Sequence, residues 1–87
     1  MNAMANTILE IGSVVNLLNE ILEDQSVPKN VRAQIQKIIA SLKDGSEISI
    51  KLSKAMNELD DISSDVNIQS FTRTQIWNVV SSIEKLK

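Results

Sequence analysis

Apolar residues recur every three or four positions along most of this chain, which is the spacing of one face of an α-helix. Polar segments interrupt the pattern three times, so it predicts four helices and no β-strand, over about residues 5–23, 28–42, 46–62 and 68–86. The predicted core positions are Ile8, Ile11, Val14, Val15, Leu18, Ile21 and Leu22, then Val31, Ile35, Ile38, Ile39 and Leu42, then Ile48, Leu52, Ala55, Met56, Leu59 and Ile62, and finally Thr72, Ile76, Val79, Val80, Ile83 and Leu86.

The predicted helix boundaries rest on three residues with special backbone chemistry. Pro28 suits the first turn of the second helix, where its missing N–H leaves no hydrogen bond unmade. Gly45 is expected to end that helix in the left-handed conformation, which costs glycine little. Ser46 follows as the expected N-cap of the third helix.

The two halves of the chain resemble each other. Residues 11–42 align without a gap with residues 52–83, at an offset of 41, and eight of the 32 pairs are identical. We interpret this as a duplication with repeat units of about residues 5–45 and 46–87. Because all the connections are short, consecutive helices should be antiparallel neighbours. The predicted fold is all-α: a single domain over residues 1–87, an up-down-up-down four-helix bundle built from two duplicated helical hairpins.

Two segments carry a resemblance to a known family. Residues 27–32 read Val-Pro-Lys-Asn-Val-Arg, and residues 73–77 in the last helix read Arg-Thr-Gln-Ile-Trp. Both resemble a family of small archaeal helical-bundle proteins that is classed only as uncharacterised. The resemblance covers essentially the whole chain and implies a compact helical bundle. It implies no activity, cofactor or partner.

Composition removes most catalytic chemistry. The chain has no cysteine and no histidine, so it lacks thiol nucleophiles, thiolate metal ligands and the commonest general base. We therefore expect no enzyme and no cofactor. Carboxylates do gather near the ends of the first and third helices, and oxygen ligands suit Mg²⁺ or Ca²⁺. A small-ligand or divalent-metal-binding bundle is therefore an alternative, although no coordinating loop with a turn glycine is present. We predict no metal ligands.

Charge and hydropathy bound the remaining partners. The net charge is −2, whereas surfaces that bind nucleic acid are usually basic. A nucleic-acid accessory factor is the weaker alternative, since Lys29, Arg32, Lys37 and Lys43 form a short basic stripe without interleaved aromatic residues. No apolar run approaches the ~18 residues of a membrane span, and no basic segment with an apolar stretch marks a secretory signal. We expect a cytoplasmic protein that does not enter a membrane.

Two duplicated polar pairs are candidate structural residues. Asp24 and Asp65 fall in the turns between paired helices, and Arg32 and Arg73 lie about one turn into the following helix. We predict that each aspartate caps the start of the next helix and pairs with its arginine. A polar site shared by the two copies is the functional alternative, but no nucleophile or base accompanies it.

Positions at which the two copies differ are candidate functional residues. Leu17 aligns with Glu58, Phe71 with Asn30, and Trp77 with Gln36. Leu17 and Trp77 are predicted to enlarge one apolar face between the first and last helices, which either completes the core or forms a contact site for a second copy or another protein. The sequence leaves the function unknown. The favoured hypothesis is a non-catalytic protein-interaction or structural bundle, with Leu17, Phe71 and Trp77 as candidate partner contacts.

Overall fold

The apolar stripes fold as four helices and leave no strand in the part of the chain that the structure covers. This computed structural model describes residues 3–86, with side chains from residue 10 onward. The helices are α1 (Ala3–Leu22), α2 (Lys29–Lys43), α3 (Ile48–Ser63) and α4 (Ser70–Glu84). The predicted all-α class is therefore confirmed, with helix ends that differ from prediction by up to two residues.

The predicted core is also confirmed wherever side chains are described. Every predicted core residue from Ile11 to Leu86 is buried or half-buried. The side chain of Ile8, which belongs to the same stripe, lies outside the described residues. Leu18, Ile35, Leu59 and Ile76 are each 0% exposed, and burying such a side chain contributes about 1.5–3 kcal/mol.

Three buried residues were missing from the predicted core. Val27 and Ile68 lie in the turns between paired helices, 41 positions apart, and both are buried. Lys51 is 9% exposed, and its ammonium donates a hydrogen bond of 3.1 Å to the main-chain oxygen of Asp44. Turn residues and lysines follow no helical apolar stripe, so periodicity does not identify them.

The helices form a square in cross-section. Among the described residues, α1 and α3 each lie against both α2 and α4, while α1 does not meet α3 and α2 does not meet α4. The molecule measures 42 × 20 × 20 Å. This arrangement leaves two lateral flanks on every helix, one towards each neighbour.

The predictions for Gly45 and Ser46 are wrong. No described glycine has a positive φ, and α2 ends instead with Asp44 in an extended conformation. The Asp44 carboxylate then accepts a hydrogen bond of 2.8 Å from the Ser46 N–H. This local bond turns the chain before α3, which begins after Glu47 rather than Ser46. The pKa of Asp44 is held below its ordinary value, chiefly by the hydrogen bonds from Ser46.

Candidate interaction surface

The two arginines hold the ends of the preceding helices. Arg32 donates from Nη1 to the main-chain oxygen of Leu22 and from Nη2 to that of Asp24. Arg73 donates from Nε to the oxygen of Ser63 at 2.9 Å and from Nη2 to that of Asp65 at 3.2 Å. The acceptors are again 41 residues apart. Carbonyls in the last turn of a helix have no partner within it, so each guanidinium supplies donors that the helix itself lacks.

The aspartates act differently from the prediction. The Asp24 carboxylate accepts from the Ser26 N–H at 2.9 Å and from the Ser26 hydroxyl at 2.7 Å, and the Asp65 carboxylate accepts from the Asn67 N–H at 2.8 Å. These bonds shape the turns and do not cap α2 or α4, whose N-cap residues have no side-chain cap bond. Each arginine binds its aspartate through the main-chain oxygen, because the carboxylate is engaged within the turn.

Charge adds to the stability of the turn between α1 and α2. The pKa of Asp24 lies below the ordinary aspartate value, chiefly because the Ser26 hydroxyl and N–H bond to the ionised carboxylate. The positive charge of Arg32 acts in the same direction. Hydrogen bonds to the charged form of an acid favour that form.

The predicted contact residues do not share one face. Trp77 is 54% exposed and Phe71 is 67% exposed, whereas Leu17 is half-buried. A helix turns about 100° per residue, so six positions place Phe71 and Trp77 about 120° apart around α4. They therefore lie on different sides of that helix.

Leu17 and Trp77 are separated as well, which corrects the predicted common face. A groove between α1 and α4 is lined by Val14 and Ser82, so these residues mark the flanks on which the two helices meet. Leu17, three residues after Val14, lies on the flank of α1 that faces α4. Trp77 is about 140° from Ser82 around α4 and lies on the flank of Arg73, whose side chain reaches the end of α3.

Two exposed apolar residues, Val66 and Ile50, were not predicted from the sequence. Val66, in the turn between α3 and α4, is 89% exposed. Its partner at the 41-residue offset is Gln25, so the same comparison that selected Trp77 contained the signal. Ile50, near the start of α3, is also 60% exposed.

The grooves show no catalytic constellation. One groove of 450 Å³ between α2 and α3 is lined by Gln34, Lys37, Ala40, Ser41, Lys54, Glu58 and Asp61. Another of 530 Å³ is lined mainly by α1 and the end of α2. The first lining does contain the Ser41 hydroxyl, two lysines and two carboxylates, but no side-chain hydrogen bond joins a nucleophile to a base among these described residues. Across the described residues, no group of three or more acidic side chains is arranged to hold a metal ion. None of the described helices combines the length and apolarity of a membrane span.

Comparison with known proteins gives a consistent family relationship. A family model described as an uncharacterised protein family, UPF0147, matches residues 1–86. A UPF0147 protein of Methanocaldococcus jannaschii is 44% identical over 75 residues, which span 85% of this chain and 81% of that protein. One from Archaeoglobus fulgidus is 37% identical over 86 residues, 99% of this chain and 97% of that protein.

Solved structures agree with this relationship. The crystal structure of a UPF0147 protein from Thermoplasma acidophilum superposes with a TM-score of 0.85 at 27% identity, over 100% of both chains. A second crystal structure, of a protein of unknown function, has a TM-score of 0.82 at 38% identity over 90% of each chain. These relatives are archaeal where a source is given, and nothing about them indicates catalysis or a specific activity. The chain therefore belongs to the uncharacterised protein family UPF0147, as its resemblance in sequence suggested.

Proposed function

We propose that this protein is a non-catalytic interaction module that binds another protein surface through the side of α4 that carries Trp77. The observation that supports this is the exposure of Trp77, which leaves 54% of the residue's surface accessible to solvent. At the same position in the first half of the chain stands Gln36, which is exposed. The fold therefore accepts a polar residue at this place, and packing within the bundle does not require a tryptophan there.

An exposed tryptophan favours binding on energetic grounds. Covering the exposed half of Trp77 removes roughly 100 Å² from water, which contributes about 2–3 kcal/mol at about 25 cal/mol per Å². Tryptophan is among the residues that most often dominate the energy of protein interfaces. Val80, one helical turn after Trp77, is half-buried and extends the apolar surface on the same flank.

The proposal includes a backbone fold that is alike in the two halves of the chain and a surface that differs between them. The helices would run up-down-up-down as two copies of one hairpin, and only the second copy would have gained the contact residue. Support comes from the matched hydrogen bonds of Arg32 and Arg73 and from the exclusive contact of helices adjacent in the square. The proposed location is the cytoplasm, and the partner is a second copy or another protein.

The experiment replaces Trp77 by the residue of the first copy. Trp77 is the only tryptophan in the chain, so its fluorescence reports directly on its surroundings. With rising protein concentration or added partner, we expect a blue shift of the emission and weaker quenching by acrylamide. Trp77→Gln should keep the wild-type melting temperature and lose the association measured by sedimentation and by tagged purification from native cells.

The matched control is Ile50→Ser, which removes an exposed apolar side chain from α3. It should associate like the wild type. If Trp77→Gln retains the wild-type sedimentation and the same co-purifying proteins, the Trp77 surface has no role in binding and the proposal fails. If the variant unfolds, the indole belongs to the core, which also contradicts it.

A further inference from the structure

Exposed apolar residues also occur at one end of the bundle, away from the Trp77 flank. Val66 lies in the α3–α4 turn and is 89% exposed, and Phe71 lies in the first turn of α4 and is 67% exposed. Their counterparts in the first copy are Gln25 and Asn30, both of which are exposed. The second copy has thus replaced two polar side chains by apolar ones without burying them.

The two interhelical turns meet at this end. The Asn30 side-chain nitrogen lies 3.5 Å from a carboxylate oxygen of Asp65, which joins the start of α2 to the α3–α4 turn. The carboxylates of both turns and of the adjoining helix ends are consequently gathered around one end of the molecule. They are Glu20, Glu23, Asp24, Asp60, Asp61 and Asp65.

Few cations balance these carboxylates. They are the exposed Lys29 at the start of α2 and the guanidiniums of Arg32 and Arg73, which keep their positive charge although their hydrogen bonds go to main-chain oxygens. Asp60 and Asp61 are both exposed at the end of α3. Three cations against six carboxylates leave this end of the bundle negative, so it repels anionic ligands and attracts cationic ones.

We propose that this end of the bundle binds a cationic amphipathic segment of another protein. Apolar side chains of that segment would cover Phe71 and Val66, and its lysines or arginines would lie against the surrounding carboxylates. Charge complementarity selects this occupant, because exposed apolar side chains alone fit many partners while a negatively charged end favours a basic one. The surface is separate from that of Trp77, so the two proposals stand or fall independently.

The test uses a synthetic 18-residue helical peptide of leucine and lysine in an amphipathic pattern, labelled with fluorescein. A control peptide of the same pattern carries glutamate in place of lysine. Fluorescence anisotropy is followed while the intact protein is titrated in at low and at moderate salt. We expect saturable binding of the lysine peptide only, weakening as salt rises because exposed charges are screened.

Variants of the protein identify the residues that bind the lysine peptide. Val66→Gln with Phe71→Asn, which installs the residues of the first copy, should weaken binding by about tenfold or more, the loss typical of a central interface residue. Asp60→Asn with Asp61→Asn should weaken it and reduce its salt dependence. Trp77→Gln and Ile50→Ser should bind like the wild type, and circular dichroism should show all four proteins folded.

Several results would overturn the inference. They are no binding of the lysine peptide, equal binding of the glutamate peptide, and unchanged binding after the Val66 and Phe71 substitutions. Loss of binding in Trp77→Gln alone would move the cationic partner to the Trp77 surface. That outcome would refute this inference and leave the proposed function standing.

Discussion

Replacing Arg32 with alanine is expected to destabilise the fold by about 1–1.7 kcal/mol. The guanidinium donates to two main-chain oxygens, those of Leu22 and Asp24. A hydrogen bond to a charged group contributes about 1.5–3 kcal/mol. Arg32 is only half-buried and water can take its place, so we assign about 1 kcal/mol to each bond.

An opposing effect acts at the same residue. Arg32 lies in the first turn of α2, where the helix dipole makes a positive charge unfavourable by about 0.3–1 kcal/mol, less where the charge is exposed to solvent. If the dipole dominated, alanine would stabilise the protein. The two hydrogen bonds, about 2 kcal/mol together, outweigh it and leave a net loss of about 1–1.7 kcal/mol, seen as a drop of roughly 4–14 °C in melting temperature.

The assay is urea unfolding followed by circular dichroism, with Lys29→Ala as the matched control. Lys29 is an exposed cation in the same turn. Its removal therefore tests the effect of a positive charge at the helix start without removing the hydrogen bonds to the two main-chain oxygens. We expect a change within about 0.5 kcal/mol, in the stabilising direction. Arg73→Ala should resemble Arg32→Ala. If Arg32→Ala melts like the wild type, or if Lys29→Ala loses as much, the assigned role of the guanidinium is refuted.

Three further predictions concern the fold. Ile35→Ala and Ile76→Ala, at positions that are 0% exposed, should each cost about 2–5 kcal/mol in urea unfolding; similar melting to wild type would contradict the burial. Gly45→Ala should stabilise by about 0.4–1 kcal/mol, because Gly45 has no positive φ and an added Cβ would meet nothing within 4 Å; a destabilised variant would show that the backbone there needs glycine. The pKa values of Asp24 and Asp44 are lowered in the folded state, so the stability they add is complete above the unfolded aspartate pKa, about 3.9, and is lost as pH falls through the lower folded values. Replacing both by asparagine should therefore reduce the loss of stability between pH 7 and pH 2 in urea titrations, and an unchanged loss would exclude the two carboxylates as its source.

The sequence alone determined the helices and the core, because both follow from local spacing. An apolar residue every three or four positions marks one side of a helix whatever that side meets, so Ile35 and Ile76 were identifiable as buried. The 41-residue offset also selected Arg32 and Arg73 as a matched pair. Periodicity gave no information on turns, which is why the buried Val27 and Ile68 and the exposed Val66 were missed.

The tertiary structure decided what each marked residue does. Whether Arg32 meets a carboxylate or a carbonyl depends on where the preceding helix ends, and the engagement of Asp24 with Ser26 leaves the main-chain oxygen as the acceptor. The separation of Leu17 from Trp77 likewise depends on which flank of α4 faces α1, and the helical repeat of a single segment does not contain that information. Position along the chain fixes the angle of a side chain around its own helix, while the neighbour it faces is set only when all four helices assemble.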